Sequence, residues 1–550
     1  MSHLARDAEE RSFDHEADVV IVGTGAAGLS AALRATAEGA EVLLLEKAPK
    51  VGGTTFKAHG FAWFPDNYWM KEQGLADPKR DALAYMARLS GAEGFDPDDE
   101  TFGLPRDQYE LLEAFYDNAA PAVDAAVEAG VKYIPAETLP DYYAHLPENK
   151  APVGRCFMPA EDKGELGWGN DTVTQLLRAV ETRGAEVKLG HRVTQLVLDD
   201  EGGVAGVVAA TDDGEVAVRA CRGVVFASGG FAQNAALRRA LLAGPSFGAC
   251  AAHTNTGDFL DIATELGVPI RNTNWAWLTP MVLERGLRND PDFQTTFAPP
   301  GDSMIYVNRY GKRTMDEKAP YNETVQAMWR WDSQRLEWPD LLQFMIWDQE
   351  CQDRYHSDVS ANPIATRGTD DAHVVVGATM PELVAKLRER VEKLAPQTHV
   401  LLDEGFEEEL GKSIARFNEL AASHVDEDFN RGGMPIELAF NTWFGEPREG
   451  NEDSPLMFPI AVEGPYYATI MAPGMLDTKG GPTIDPEGRI LGVDGAPVPG
   501  LFGAGNCVAA PSGKAYWAAG ATIGPAITFG YIAGGSAARS PVRELKEVAR

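Results

Sequence analysis

The sequence predicts an α/β protein: a Rossmann-type dinucleotide-binding domain, discontinuous along the chain, with an inserted α+β domain for substrate and catalysis. Three observations predict it. An apolar strand runs into Gly23-x-Gly25-x-x-Gly28 and a small-residue helix. Glycine-rich strand ends recur at Phe226-Ala-Ser-Gly-Gly and at Gly500-Leu-Phe-Gly-Ala-Gly-Asn. Between them lies a stretch rich in Trp, charge and irregular turns. The expected division is residues 1–275 for the first part of the dinucleotide domain, 276–454 for the insertion and 455–550 for the second part. A chain of 550 residues is too long for a single hydrophobic core, which fits this division.

In chain order, residues 18–22 read as a strand, 26–38 as a helix and 41–45 as a second strand ending at Glu46. Each glycine of the first turn has its own physical reason: Gly23 makes the tight turn, Gly25 lets a pyrophosphate approach closely, and Gly28 lets helix pack on strand. The helix N-terminus at Ala26 then faces the phosphates. Glu46, with Lys47 beside it, stands where an acid accepts hydrogen bonds from ribose hydroxyls. The following segment, KVGGTTFKAHGFAWFP, places Gly53, Thr54, Thr55 and Gly60 where a second nucleotide half and a flavin ring would be wrapped, which favours FAD over NAD. No second Gly-x-Gly-x-x-Gly follows a strand, so electrons are expected to leave to an external acceptor.

Residues 65–130 read as amphipathic helices, among them 106–118 and 119–129, packed on the sheet. From 186 to 231 the pattern becomes a β-meander of four short strands that carries Val193 and returns to the cleft at Ala227, Ser228 and Gly229. Residues 329–386 are the least regular. Strand signals resume at Gly464, and Gly505, Asn506, Gly520, Thr522 and Ile523 complete the expected cofactor contacts. The uncharged run 515–538 is dominated by Gly, Ala, Thr and Pro, a poor lipid-facing helix, and is expected to lie buried against the cofactor.

Composition narrows the function classes. Lys plus Arg number 49 against 82 Asp plus Glu, a formal charge of -33, which repels phosphate backbones and anionic lipid and argues against a nucleic-acid partner. The five cysteines are scattered and never paired as C-x-x-C, so reduced thiols in a cytoplasm are expected, without a disulfide framework or zinc site. The first 18 residues are polar, with no apolar signal stretch, and read as a frayed leader.

Taken together, VIVGTGAAGLS, GGTTFKAHGFAWFP, LPDYY, VVFASGGFAQN, YVNRYGKRTMDEKAPY, GPYYA with TKGGPTID, and GLFGAGNCVAAPSGKAYWAAGATIGPA resemble the flavoproteins that include fumarate reductases and 3-ketosteroid dehydrogenases. The details are most similar to the 3-ketosteroid Δ1-dehydrogenases. That resemblance implies non-covalent FAD, a Tyr base at Tyr321 in Ala-Pro-Tyr, a ketone oxygen held by Tyr516 and the Gly520 N–H, and a supporting Tyr142 in Pro-Asp-Tyr. Phe297 takes the place of a pocket aromatic. Arg313-Thr-Met-Asp-Glu317 departs from the family's string before Ala-Pro-Tyr, and the segment 275–288 has no clear steroid counterpart.

The residue types suit such chemistry on their own. Removing a hydrogen pair beside a ketone needs a base for the α-proton, donors for the developing enolate oxygen and an acceptor for the β-hydride, here flavin N5. An unperturbed phenol has a pKa near about 10, so Tyr321 would need polar partners to ionise usefully. The expected activity is FAD-dependent 1,2-dehydrogenation of a cyclic ketone. Two other activities stay open: desaturation of a smaller alicyclic ketone such as 4-oxocyclohexanecarboxylate, with Lys57, His145, Arg155 or Arg288 facing its carboxylate, and ene-reduction as in fumarate reductases. The second is disfavoured because Ser512-Gly-Lys-Ala-Tyr516 stands where a His-Gly-x-Asn-Arg run would be expected. Thr54 occupies the position used for covalent flavin attachment, His59 is expected to pack or cap, and Tyr466, Tyr467 and Trp517 are expected as pocket or flavin neighbours. A flavin carrier without substrate chemistry is the bland alternative.

Overall fold

The computed structural model describes residues 2–91, 93–443 and 445–545. Its larger sheet is mixed. Five strands run parallel in the order Pro497–Gly503, Gly214–Phe226, His15–Val22, Val42–Glu46 and Glu186–Leu189. The second halves of the two strands flanking the glycine turn are buried throughout, the mark of parallel strands covered on both faces. The meander hangs from one edge as the antiparallel strands Arg192–Leu198 and Val204–Thr211. Its last two expected strands are one strand, Gly214–Phe226, whose register shifts between Ala220 and Gly223. That bulge lets one strand pair antiparallel with the meander at its start and parallel with Pro497–Gly503 at its end.

Two other helical expectations change. Residues 106–129 form one helix, Arg106–Glu128, which carries Pro121 in its interior and buries Leu112, Phe115, Ala119, Val123 and Ala126 along one stripe. The uncharged C-terminal run divides in two: its first part lines the cleft with Tyr516, Ala519, Gly520 and Thr522, and the rest is helix Ile523–Arg539, which packs mainly on the glycine-turn helix Ala26–Ala37 and meets the cleft through Ile523 and Ala526. The small residues serve that close crossing: a Cβ on Gly530 would lie 2.2 Å from the Ala27 carbonyl oxygen, and one on Gly534 2.1 Å from that of Ala31. Nor does the leader fray. Leu4–Ala5 adds a parallel strand beside Leu196–Val197 and Ala8 is buried, because these few apolar side chains find the sheet edge.

The second sheet centres on the long strand Tyr466–Thr478, which pairs antiparallel with Ala276–Val282, Gln343–Asp348 and Val375–Gly377. This strand thus joins the sheet formed by strands of the middle segment. Residues 329–386 are unreadable in sequence because Gln343–Asp348 is buried on both faces and shows no alternation. Helices Met380–Thr398 and Phe406–Ser423 cover the sheet around Leu387, Val391, Phe344 and Phe406. A small sheet of Ala62–Trp63, Tyr133–Pro135 and Cys156–Pro159 lies beside the glycine-turn domain.

Candidate active site

One elongated cleft runs from the glycine turn to a cluster of tyrosines. Its lining is continuous from Gly23 and Glu46 at one end to Tyr142, Tyr321 and Tyr516 at the other. All of the expected site residues line it except Gly28. A Cβ on Gly28 would stand 2.0 Å from the Gly23 carbonyl oxygen, so this glycine lets helix and turn touch and does not itself face a ligand.

The cofactor half fits FAD on the protein's own geometry. Gly23 has φ +105°, and a Cβ there would meet the Ala227 carbonyl at 2.5 Å. Helix Ala26–Ala37 begins at Gly25, which supplies no side-chain cap; the Thr55 hydroxyl takes the Ala26 N–H (3.1 Å), and the helix N-terminus opens on the cleft. Glu46 is held in place by the Thr24 hydroxyl (2.7 Å) and the Thr24 and Ala48 backbone N–H groups (3.1 and 2.9 Å). Lys47 turns aside to Asp258, 2.9 Å away. Further along, the buried Ser228 hydroxyl has no hydrogen-bond partner among the described residues, as expected of a group that completes its bonding with a ligand.

Sequence reading missed a polar cluster in this half. The buried Asp477 carboxylate accepts from Asn255 (2.7 Å) and Asn506 (2.9 Å), and Asn506 in turn accepts from the Trp277 indole (2.9 Å). Burial pushes the Asp477 carboxyl up to about 6, partly offset by those amides. An acid in an otherwise apolar strand was the available signal.

At the other end the three expected tyrosines meet, from segments 179 and more residues apart. Tyr142 and Tyr321 share a 2.5 Å hydrogen bond, and the Tyr516 hydroxyl accepts from Thr522 at 3.2 Å. The ring of Tyr321 lies edge-on to Tyr142 and Tyr516, with centroids 5.3 and 5.2 Å away. Each tyrosine is fixed from behind. Asp141, next to Tyr142, is buried with Arg155 and accepts from the Trp63 indole at 2.9 Å. The segment before Tyr321 is pinned by buried Glu317, which takes a bidentate bond from Arg313 (2.7 and 2.8 Å) and faces Arg431. Buried Lys479 sits 3.6 Å from the Trp277 ring centre and donates to the Ala515 carbonyl beside Tyr516. Gly520, at φ +82°, packs its Cα on Ala62, where a Cβ would come within 2.5 Å, and its N–H has no partner among the described residues.

Burial raises the pKa of all three phenols, Tyr321 well above its ordinary value and Tyr516 up to about 12. No cation among the described residues contacts the hydroxyls to offset it. Both hydroxyls are therefore protonated donors at neutral pH, which suits an oxyanion site and sets a demand on any base role of Tyr321.

Around the tyrosines stand aromatic walls. His59 meets Phe297 edge-on at 4.6 Å, Phe297 lies 5.7 Å from Tyr321, and Phe440 stacks toward Tyr321 at 6.4 Å. Phe61, Phe440 and Trp443 also line the cleft and were not foreseen; Phe61 lies within the GGTTFKAHGFAWFP segment, whereas no motif marks Phe440 or Trp443. His59 is buried against Phe297 and Trp168, which lowers its pKa to about 4 and keeps it neutral. Of the four basic residues considered for a substrate carboxylate, Lys57 alone lines the cleft. Arg155 is consumed by Asp77 and Asp141, and Arg288 by Asp370 and Asp290. Tyr466, Tyr467 and Trp517 stand outside the lining: the tyrosine hydroxyls bond to Val462 O (2.6 Å) and Gln349 (2.5 Å), and Trp517 packs under Trp63.

Comparison with known proteins agrees with this layout. Residues 18–523 match the FAD binding domain family. The chain is 31% identical to the 4-oxocyclohexanecarboxylate 2-dehydrogenase of Sinomonas cyclohexanicum, over 94% of this chain and 92% of that one. It is also 31% identical to a 3-oxosteroid 1-dehydrogenase of Mycolicibacterium smegmatis, over 94% and 96%. The fold is shared with the 3-ketosteroid delta1-dehydrogenase of Sterolibacterium denitrificans (TM-score 0.79, 24% identity, 95% and 99% covered). A helix opening at a glycine turn, a buried acid ending the next strand and a match over nearly the whole chain lead to one conclusion: the chain belongs to the FAD-binding family of flavoprotein oxidoreductases that includes these dehydrogenases.

Proposed function

We propose that the protein is a 1,2-dehydrogenase of a cyclic ketone. In this reading a discontinuous Rossmann-type domain holds FAD, and the inserted unit, reaching to about residue 478, covers the reacting end of the cleft. The meeting of Tyr142, Tyr321 and Tyr516 beside an unpartnered Gly520 N–H carries the reading. The Tyr516 hydroxyl and the Gly520 N–H would hold the ketone oxygen and stabilise the negative charge that develops on it. Tyr321 would take the α-proton. The Tyr142 hydroxyl, 2.5 Å away, would donate to the Tyr321 phenolate that serves as the base, until the α-proton converts it to the phenol. Gly23, Gly25, Glu46 and Thr54 to Gly60 would hold FAD, which when bound would supply the acceptor for the β-hydride. The aromatic walls exclude water, and this strengthens the hydrogen bonds at the oxygen.

Two relatives, each 31% identical to this chain, act, by name, on a ketosteroid and on 4-oxocyclohexanecarboxylate, and both substrates are cyclic ketones. An ene-reductase of the fumarate type would need cations for two carboxylates at the tyrosine end, where the lining offers only Lys57. The decisive variant is Tyr321→Phe. It should keep stoichiometric FAD and lose about 10²–10⁴-fold in kcat on the accepted ketone. Wild-type turnover in this variant would remove Tyr321 as the base.

A further inference from the structure

The tyrosine end of the cleft has one polar side, which the ketone chemistry leaves unused. Lys57 ends the short helix Gly53–Lys57, and its half-buried side chain lines the cleft together with His59 and Gln294. Its ammonium donates to the Pro291 carbonyl, and among the described residues no carboxylate lies within 4 Å of it. Burial accordingly lowers its pKa, with Asp292 and Cys250 opposing from further off. Gln294 donates to the Lys57 backbone carbonyl at 3.1 Å and stands three residues before Phe297, which joins His59 to Tyr321 through ring contacts. Lys57 therefore belongs to the substrate end. The other lysine of the lining, Lys47, is committed to Asp258.

A positive group at the edge of an aromatic pocket, short of an acid, is stabilised by whatever anion arrives there. An uncharged polycyclic ketone would leave that ammonium desolvated and unpaired, a cost such a ligand would carry in its affinity. We infer that Lys57 is a specificity residue that pairs with a carboxylate on the substrate, so that the protein prefers a cyclic keto acid to an uncharged ketone. The inference rests on the ketone reading above. His59, neutral and without a hydrogen bond among the described residues, is placed to donate a second bond to the same anion.

The test compares 4-oxocyclohexanecarboxylate with its methyl ester, and with 4-androstene-3,17-dione, on FAD-loaded wild type, Lys57→Met and Lys57→Arg. Wild type should favour the acid over the ester by about 10-fold or more in kcat/KM, the size of a charge-assisted pair. Lys57→Met should raise the acid's KM about 10–100-fold with a smaller effect on kcat, erasing the preference, and Lys57→Arg should restore most of it. FAD affinity, followed by flavin absorbance on dilution, should stay within about threefold. Equal use of acid and ester by wild type, or an intact preference in Lys57→Met, overturns the inference. So does loss of FAD from Lys57→Met, which would make Lys57 a cofactor ligand. Turnover of the steroid but of neither small ketone overturns the inference and leaves the ketone reading standing; no turnover of all three overturns that reading as well.

Discussion

At the scale of single residues the chemistry turns on phenols whose burial works against ionisation. Tyr321 sits among Tyr142, Tyr516, Phe297 and Phe440 with no cation among the described residues in contact, so its pKa lies well above the ordinary value. A base acts through its deprotonated form, and a raised pKa leaves that form scarce at neutral pH. Turnover should therefore climb with pH across the neutral and alkaline range, approaching about tenfold per unit, with no plateau below about pH 10. Tyr516, raised to about 12, remains a donor over the same range, so the rise should not reverse there. A plateau reached by about pH 7 in the pH profile of kcat would mean that another group removes the proton. Tyr142 shapes this behaviour too, since its 2.5 Å hydrogen bond adds to burial in holding the Tyr321 pKa up.

At the scale of elements, the cofactor site depends on how closely two helices approach. The C-terminal helix Ile523–Arg539 presses Gly530 onto the backbone of Ala27, in the helix whose N-terminus opens on the cleft. Gly530→Ala would force a Cβ to within 2.2 Å of the Ala27 carbonyl oxygen unless the helices separate. That overpacking should cost about 1–3 kcal/mol and weaken FAD binding, because the displaced helix carries the glycine turn. Gly411, inside helix Phe406–Ser423, supplies the contrast: nothing among the described residues lies within 4 Å of its added Cβ. Gly411→Ala should be neutral or stabilising by about 1 kcal/mol. Thermal midpoints and FAD dissociation constants of the two variants measure both effects; equal behaviour would mean that the close crossing carries no such strain.

At the scale of the molecule, what could be read from sequence divides along a physical line. The glycine turn, Glu46 and the strands either side were legible because close backbone approach to phosphate admits few residue types, and their spacing is local. Tyr321 and Tyr516 were legible through resemblance, since each sits in a short string with Pro or Gly neighbours. Phe440 and Trp443 were not, because an aromatic on a helix looks the same whether it lines a pocket or a core. The cluster of Asp77, Asp141 and Arg155 behind Tyr142 was equally hidden, as its partners lie 14 and 78 positions apart and meet only after folding. The same holds for the strand Tyr466–Thr478, whose place in the second sheet depends on partners far upstream in the chain.

Whether the assembled cleft performs the proposed chemistry is decided by one anaerobic experiment. The FAD-loaded protein is mixed, without an electron acceptor, with a cyclic ketone deuterated at the α and β ring carbons, and flavin absorbance and product mass are recorded together. Stoichiometric bleaching, a product lighter by one α and one β deuterium, and slowing by deuterium at those positions are the predicted results. A flavin that stays yellow with ketosteroid and keto acid alike, or that bleaches without loss of hydrogen from the ring, would contradict the proposed dehydrogenation.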